Sequence, residues 1–177
     1  MAGSVSRARG DGRAVSAALG EYRARLEDMR ESDVPEIAGI EARSYDFPWP
    51  DGIFSDCLKA GYRCRVLRRD GEIIAYGIVS IVAGEAHILN LCVCPLWRGC
   101  GWGRHMLDHL LDVAAAAAAG RVWLEVRRSN AAAMGLYGAA GFAVAGIRRG
   151  YYRATAGRED ALVLALDIGD GRARADA

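Results

Sequence analysis

The segment Arg98-Gly99-Cys100-Gly101-Trp102-Gly103 lies between a strand-like run, "EAHILNLCVC", and a run with helical spacing that passes into a stretch of alanines. A strand that feeds glycines into a helix start presents free backbone N–H groups and the positive end of the helix dipole, which together suit an anion such as phosphate. Two nucleotide signatures fail here. A Walker loop needs Gly-Lys, and Lys59 is the single lysine of the chain; the dinucleotide fingerprint needs G-x-G-x-x-G, and the spacing is G-x-G-x-G. The glycines serve either close approach of backbone to a ligand or tight packing. Cys92 and Cys94, at i and i+2, share one face of their strand, and with no activating His or cation beside them they read as core thiols. His105 and His109 sit at i, i+4 without a third ligand, so no metal site is expected.

The elements that must position this loop follow from periodicity and turn chemistry. A strand is expected from Tyr22 to about Met29, then a helix opening at Asp33 with a capping box to Glu36 and apolar contacts from Val34, Ile37 and Ile40. The prolines of "DFPWP" interrupt it, and "DGIFSDCLKAG" gives a second short helix ending at Gly61. Asp70-Gly71 and Ala83-Gly84 mark turns between three antiparallel strands. A helix from about Gly103 to a cap at Gly120, the strand "RVWLEV", a helix over 130–140, and strands over 142–147 and 161–168 complete an α/β chain: a mixed, mostly antiparallel sheet flanked by helices.

The chain has 177 residues, 52% of them hydrophobic, and a formal net charge of +1, which suits one globular domain with a real core. The near-neutral balance gives no overall attraction to nucleic acid or anionic lipid, and the apolar runs are cut by Gly or Arg before they reach the length of a membrane span. Five cysteines without C-x-x-C spacing read as reduced thiols rather than a disulfide framework. The first twenty residues lack a continuous apolar segment, so a disordered leader over 1–20, a domain over 21–168 and a mobile tail over 169–177 are expected, in a cytoplasmic protein.

The pattern R-x-x-G-x-G after a strand resembles the acetyl-CoA signature of the GNAT acetyltransferases. "FPW", "LEVRRSNAAAMGLYGAAGF" and "RRGYYRATAGREDALVLAL" resemble the RimI-type branch, whose members acetylate the α-amine of a ribosomal protein, and the likeness runs from about Tyr22 to Ile168. It implies the GNAT fold with a splayed strand: the pantetheine arm along Leu91, Cys92 and Val93, the diphosphate on the loop that begins at Arg98, against the amides of Gly99, Cys100, Gly101, Trp102, Gly103 and Arg104, and a cofactor contact from Asn130. It implies Glu125 as general base and Tyr137 as general acid. Read from the residues alone, Glu125 would equally suit an ion pair with Arg127 or Arg128, and Tyr137 an apolar cluster with Leu136 and Phe142. The resemblance also places Phe47, Trp49, Tyr151 and Tyr152 in loops bordering a peptide groove. The implied reaction is acetyl transfer from acetyl-CoA, without a metal, to a peptide α-amine, with the N-terminal alanine of ribosomal small-subunit protein eighteen as target. Other protein N-termini, lysine or a small amine are alternatives within the fold, and a non-catalytic acyl-CoA-binding module is the alternative of another class. Cys94-Pro95 stands where the pattern usually has an acid before the proline, and "GYYRATAG" departs in its glycine and tail, which bears on peptide preference.

Overall fold

In a computed structural model, residues 24–169 are described; the expected leader, the start of the first strand at Tyr22 and most of the tail lie outside them. The strands are β1 (Ala24–Asp28), β2 (Arg63–Arg69), β3 (Glu72–Val82), β4 (Glu85–Val93), β5 (Arg121–Arg127), β6 (Ala143–Ala154) and β7 (Gly157–Asp167). The helices are α1 (Val34–Ser44), α2 (Asp51–Lys59), α3 (Trp102–Ala116) and α4 (Ala131–Ala139), with single 3-10 turns at Glu31–Asp33 and Pro95–Trp97. One sheet of seven strands runs in the order β1-β2-β3-β4-β5-β7-β6, antiparallel throughout except for the parallel pair β4 and β5. This is the mixed, mostly antiparallel α/β architecture expected from the sequence.

Alternation along β3 supplies both cores. Tyr76 and Ile78 face α1 and α2 with Ile37, Ile40 and Phe54, whereas Ala75 and Val79 face α3 with Met106, Leu107 and Leu110. Helix α3 packs so closely on β3 that a Cβ added at Gly77 would lie 2.8 Å from Leu110 Cδ1 and 3.2 Å from Met106 Sδ. The turn readings hold in detail: Asp70 and Gly71 both have positive φ (52° and 92°), as do Ala83 and Gly84 (52° and 80°), the two left-handed residues of a tight hairpin.

Three local readings are corrected. Asp33 does not cap α1 through its side chain: Oδ2 accepts from Arg30 N at 2.9 Å and Oδ1 from Arg68 Nη2 at 2.6 Å, while Glu36 Oε1 accepts from Ile73 N at 2.7 Å. Both carboxylates tie α1 to the sheet instead of to each other. Helix α3 stops at Ala116 rather than near Gly120: Ala118 takes a left-handed φ of 57°, and Ala118 N and Ala119 N bond to the carbonyls of Ala115 and Ala114. That double closure is a Schellman end, and the buried Ala119 supplies the apolar contact that offsets the strain of alanine in this conformation. Finally, β6 runs on to Ala154 and β7 starts at Gly157, so Tyr151 and Tyr152 lie on a strand, past an irregularity between Arg148 and Tyr152, and not in a loop.

Replacing Gly77 by Val should overpack the α3–β3 contact, costing about 1–3 kcal/mol and lowering the melting temperature by several degrees. Denaturant and thermal unfolding of the variant check this; an unchanged melting temperature would mean that α3 does not sit on β3 so closely.

Candidate active site

The site begins where the parallel pair stops. Strands β4 and β5 pair only from Glu85↔Arg121 to Ile88↔Leu124. Beyond that point β5 stays with β7 (Glu125↔Val163, Val126↔Leu162), and β4 stays with β3 (Leu91↔Gly77, Val93↔Ala75). The cause is one extra residue: Val79 pairs with Ile88 and Ile78 with Asn90, so Leu89 has no partner on β3 and the strand bends there. The sheet therefore forks, and a cleft of about 430 Å³ opens between Leu89–Leu91 and Leu124–Arg127, with Asn130 and Tyr137 of the α4 segment on one wall and Tyr45, Phe47 and Trp49 on another. Of the expected cofactor strand, Leu91 faces this cleft, while the Cys92 side chain is buried against α1 with its Sγ 3.3 Å from Ser44 Oγ. Burial pushes the Cys92 thiol up, so it stays protonated and is no nucleophile.

The glycine loop lies between the end of β4 and the start of α3. Gly99 and Gly101 have φ of 76° and 85°, which L side chains rarely adopt, so glycine is required there by the backbone itself. Gly101 caps α3, whose first internal bond is His105 N to Gly101 O at 3.1 Å; the N–H groups of Trp102, Gly103 and Arg104 have no partner within the helix. Neighbouring side chains are turned away: Arg98 Nε donates to Val93 O at 3.1 Å, Arg104 bonds Asp108 at 2.9 Å and the Ala139 carbonyl at 3.3 Å, and the Trp102 ring is buried. Cys100 is exposed. A bare run of backbone amides at a helix N-terminus fits a diphosphate, with the helix dipole adding favourable potential.

Glu125 sits at the fork, on β5. Its carboxylate is held at both oxygens: His87 Nε2 lies 2.7 Å from Oε2 and Arg148 Nη2 3.2 Å from Oε1. Its carbonyl accepts the Tyr152 hydroxyl at 3.1 Å. The ion pair with Arg127 or Arg128 weighed from sequence is not the one formed: Arg127 bonds Glu159 at 3.2 Å and lies 4.4 Å over the Tyr152 ring. Tyr137, on α4, is buried with its ring against Phe142 at 5.7 Å, yet it also lines the cleft. Burial pushes its phenol up to about 12, so it stays protonated throughout the neutral range. Asn130 lies just before α4 and accepts from Ala133 N at 3.1 Å, capping the helix that carries Tyr137.

Phe47, Trp49, Tyr151 and Tyr152 all line the cleft. Phe47 is 39% exposed, Trp49 packs 5.7 Å from Phe54, and Tyr151 and Tyr152 stack edge to face at 5.0 Å. Glu41, missed in the sequence, holds this wall: it is 2% exposed, accepts the Trp49 N–H at 3.1 Å, and takes the Tyr76 hydroxyl on its other oxygen. His87 and Arg148 were missed as well. Only the registers of β4 on β5 and of β6 and β5 on β7 bring them to Glu125, and no local pattern reports those registers. His105 packs on Trp102, and burial depresses His109. Among the described residues no three His, Cys, Asp or Glu side chains cluster as a metal would need, and no helix is long and apolar enough to cross a membrane.

Residues 24–142 match the model of the acetyltransferase (GNAT) family. The chain is 39% identical over 143 residues to the ribosomal protein bS18-alanine N-acetyltransferase of Escherichia coli K12, covering 81% of this chain and 97% of that protein. It is 31% identical over 141 residues to the protein of the same name in Haemophilus influenzae, covering 79% and 96%. Its fold superposes on the crystal structure of the ribosomal-protein-S18-alanine N-acetyltransferase from Escherichia coli with a TM-score of 0.79 at 36% identity, covering 87% of this chain and 99% of that one. The forked sheet, the amide-lined loop and these relatives together show that the chain belongs to the GNAT family and is an N-acetyltransferase.

Proposed function

We propose that this enzyme transfers the acetyl group of acetyl-CoA to the α-amine of a protein N-terminus, with the N-terminal alanine of ribosomal protein bS18 as its target, in the cytoplasm. The observation that carries the reading is the fork after Ile88 and Leu124, which opens a cleft lined by Glu125 and by β4, the strand that runs on into the amide-bearing glycine loop. The named relatives, 39% and 31% identical, support the choice of target.

Acetyl-CoA supplies the activated acetyl thioester. The amides of Gly99, Cys100, Gly101, Trp102, Gly103 and Arg104 bind its diphosphate, the loop opening at Arg98, and the pantetheine arm lies along Leu91, Cys92 and Val93, where β5 no longer pairs with β4 and where the Val93 carbonyl already accepts from Arg98 Nε at 3.1 Å. Asn130 contacts the cofactor from the start of α4. Phe47, Trp49, Tyr151 and Tyr152 form the walls along which the peptide enters. An α-amine has a pKa of about 7.7–8.0 against about 10.4 for lysine, so freeing its lone pair costs roughly 3 kcal/mol less at a given pH. A carboxylate suffices as base for that task. Glu125 takes the proton from the attacking nitrogen, directly or through one water, as the C–N bond forms. Tyr137, kept neutral by burial, gives its proton to the sulfur as the C–S bond breaks.

Mass spectrometry of peptides incubated with enzyme and acetyl-CoA tests the target. The bS18 N-terminal peptide should be acetylated on its first residue and outpace peptides offering only a lysine side chain; preferential lysine acetylation would overturn the assignment.

Glu125→Gln should reduce turnover by about 10²–10⁴-fold with unchanged acetyl-CoA affinity, and higher pH should restore part of the loss as free amine accumulates. Tyr137→Phe should slow the reaction on the order of 10²-fold, and its deficit should shrink with a thioester whose departing thiol is more acidic. Steady-state rates check both. A Glu125→Gln rate within threefold of the parent would make that residue structural, and a Tyr137→Phe deficit indifferent to the leaving group would make the phenol a positioning group.

A further inference from the structure

Glu125 lines the cleft with its side chain only 11% exposed, whereas the His87 imidazole bonded to it is 38% exposed and lies outside the cleft lining. The carboxylate thus joins two environments, the cleft on one side and solvent, through His87, on the other. We propose that His87 is a positioning residue for the reaction: it orients the Glu125 carboxylate, and its charge sets how strong a base that carboxylate is. The proposal rests on Glu125 acting as the base.

The groups facing His87 are few. On the same face of β4 stands Glu85; on β5 stand Arg121 and Glu125, of which Arg121 is already paired with Asp167 of β7; on β6 stands Arg148. The residue opposite on β3, Ser80, is uncharged. Arg148 keeps its charge at every pH of interest, so Glu125 always carries one cationic donor, on Oε1. Imidazole is the side chain that ordinarily gains or loses charge between pH 5 and 8. When neutral, with its proton on Nε2, His87 donates to Oε2, and the two donors fix the carboxylate rotamer while leaving it beside a single cation. When a proton adds at Nδ1, the same hydrogen bond persists but a second full positive charge stands 2.7 Å from Oε2. Two cations hold the carboxylate ionised and make it accept a proton less readily, so amine deprotonation slows.

The test is kcat/KM for one N-terminal peptide measured from pH 5.5 to 9 on the parent, His87→Gln, His87→Thr and Glu125→Gln. Taking the ratio of parent to His87→Gln at each pH cancels the ionisation of the substrate amine. Glutamine keeps an N–H donor but cannot become a cation, so the ratio should lie near one above pH 8 and fall about three- to tenfold by pH 5.5. His87→Thr, which lacks the charge and the long amide donor, should be slower at all pH values yet run parallel to His87→Gln. A parent to His87→Gln ratio that stays flat across the range would overturn the proposal. Glu125→Gln separates the two claims: a near-parental rate in that variant defeats the base assignment, whereas a collapsed rate together with a flat His87 ratio defeats only the role given to His87.

Discussion

The unpaired residue Leu89 governs the geometry of this enzyme. A parallel pair with both members in continuous register would close the sheet between β4 and β5 and satisfy every backbone group along it. The insertion of one residue against β3 bends β4 away after Ile88, and the two halves of the sheet then diverge, each held by an antiparallel neighbour. The fork is stable because the hairpins on either side are extensive and because two cores, one under α3 and one under α1 and α2, clamp the strands from opposite faces. A backbone left without a β partner in the middle of a sheet would ordinarily be costly. Here it is the edge along which the proposed pantetheine arm would complete the ladder.

The proposed base and acid, Glu125 and Tyr137, meet at the cleft because they belong to elements fixed on different sides of that fork. The amide loop follows the end of β4, Glu125 marks the first residue of β5 past the split, and Tyr137 comes from α4, its ring against Phe142. Even the aromatic wall of the cleft depends on buried chemistry: the Glu41 carboxylate holds the Trp49 backbone and the Tyr76 phenol, so the segment over 45–50 is anchored from below. Burial of the Tyr45 and Tyr76 phenols pushes both well above the ordinary tyrosine value, which keeps Tyr76 a neutral donor to that carboxylate.

Much of this was legible in the chain. Asp70-Gly71 and Ala83-Gly84 specify tight turns by residue type, and the apolar run between them is the strand buried on both faces. The run Gly99 to Gly103 was legible as a glycine loop feeding a helix because the reason for glycine is local: two of the three glycines answer to positive φ rather than to crowding. What was hidden depends on distant partners. Asp33 and Glu36 are spaced like a capping box, but Arg68 and the Ile73 amide, more than thirty residues away, compete for their carboxylates and prevail. The alanine run argues for helix through its whole length, and only the packing of Ala119 turns the chain at Ala118. Tyr151 and Tyr152 lie in a Gly- and Arg-rich stretch with weak strand character, and pairing with β7 overrides it. Likewise, His87 and Arg148 reach Glu125 through three strand registers that no single segment encodes.

Amide hydrogen exchange of the full chain with and without coenzyme A probes the fork most directly. If a ligand completes the ladder along β4 and sits on the loop, amides within Leu89–Val93 and Gly99–Arg104 should gain protection on binding, while the β6–β7 hairpin beyond the cleft changes little. Protection confined to other segments, with β4 and the loop exchanging as before, would contradict the account.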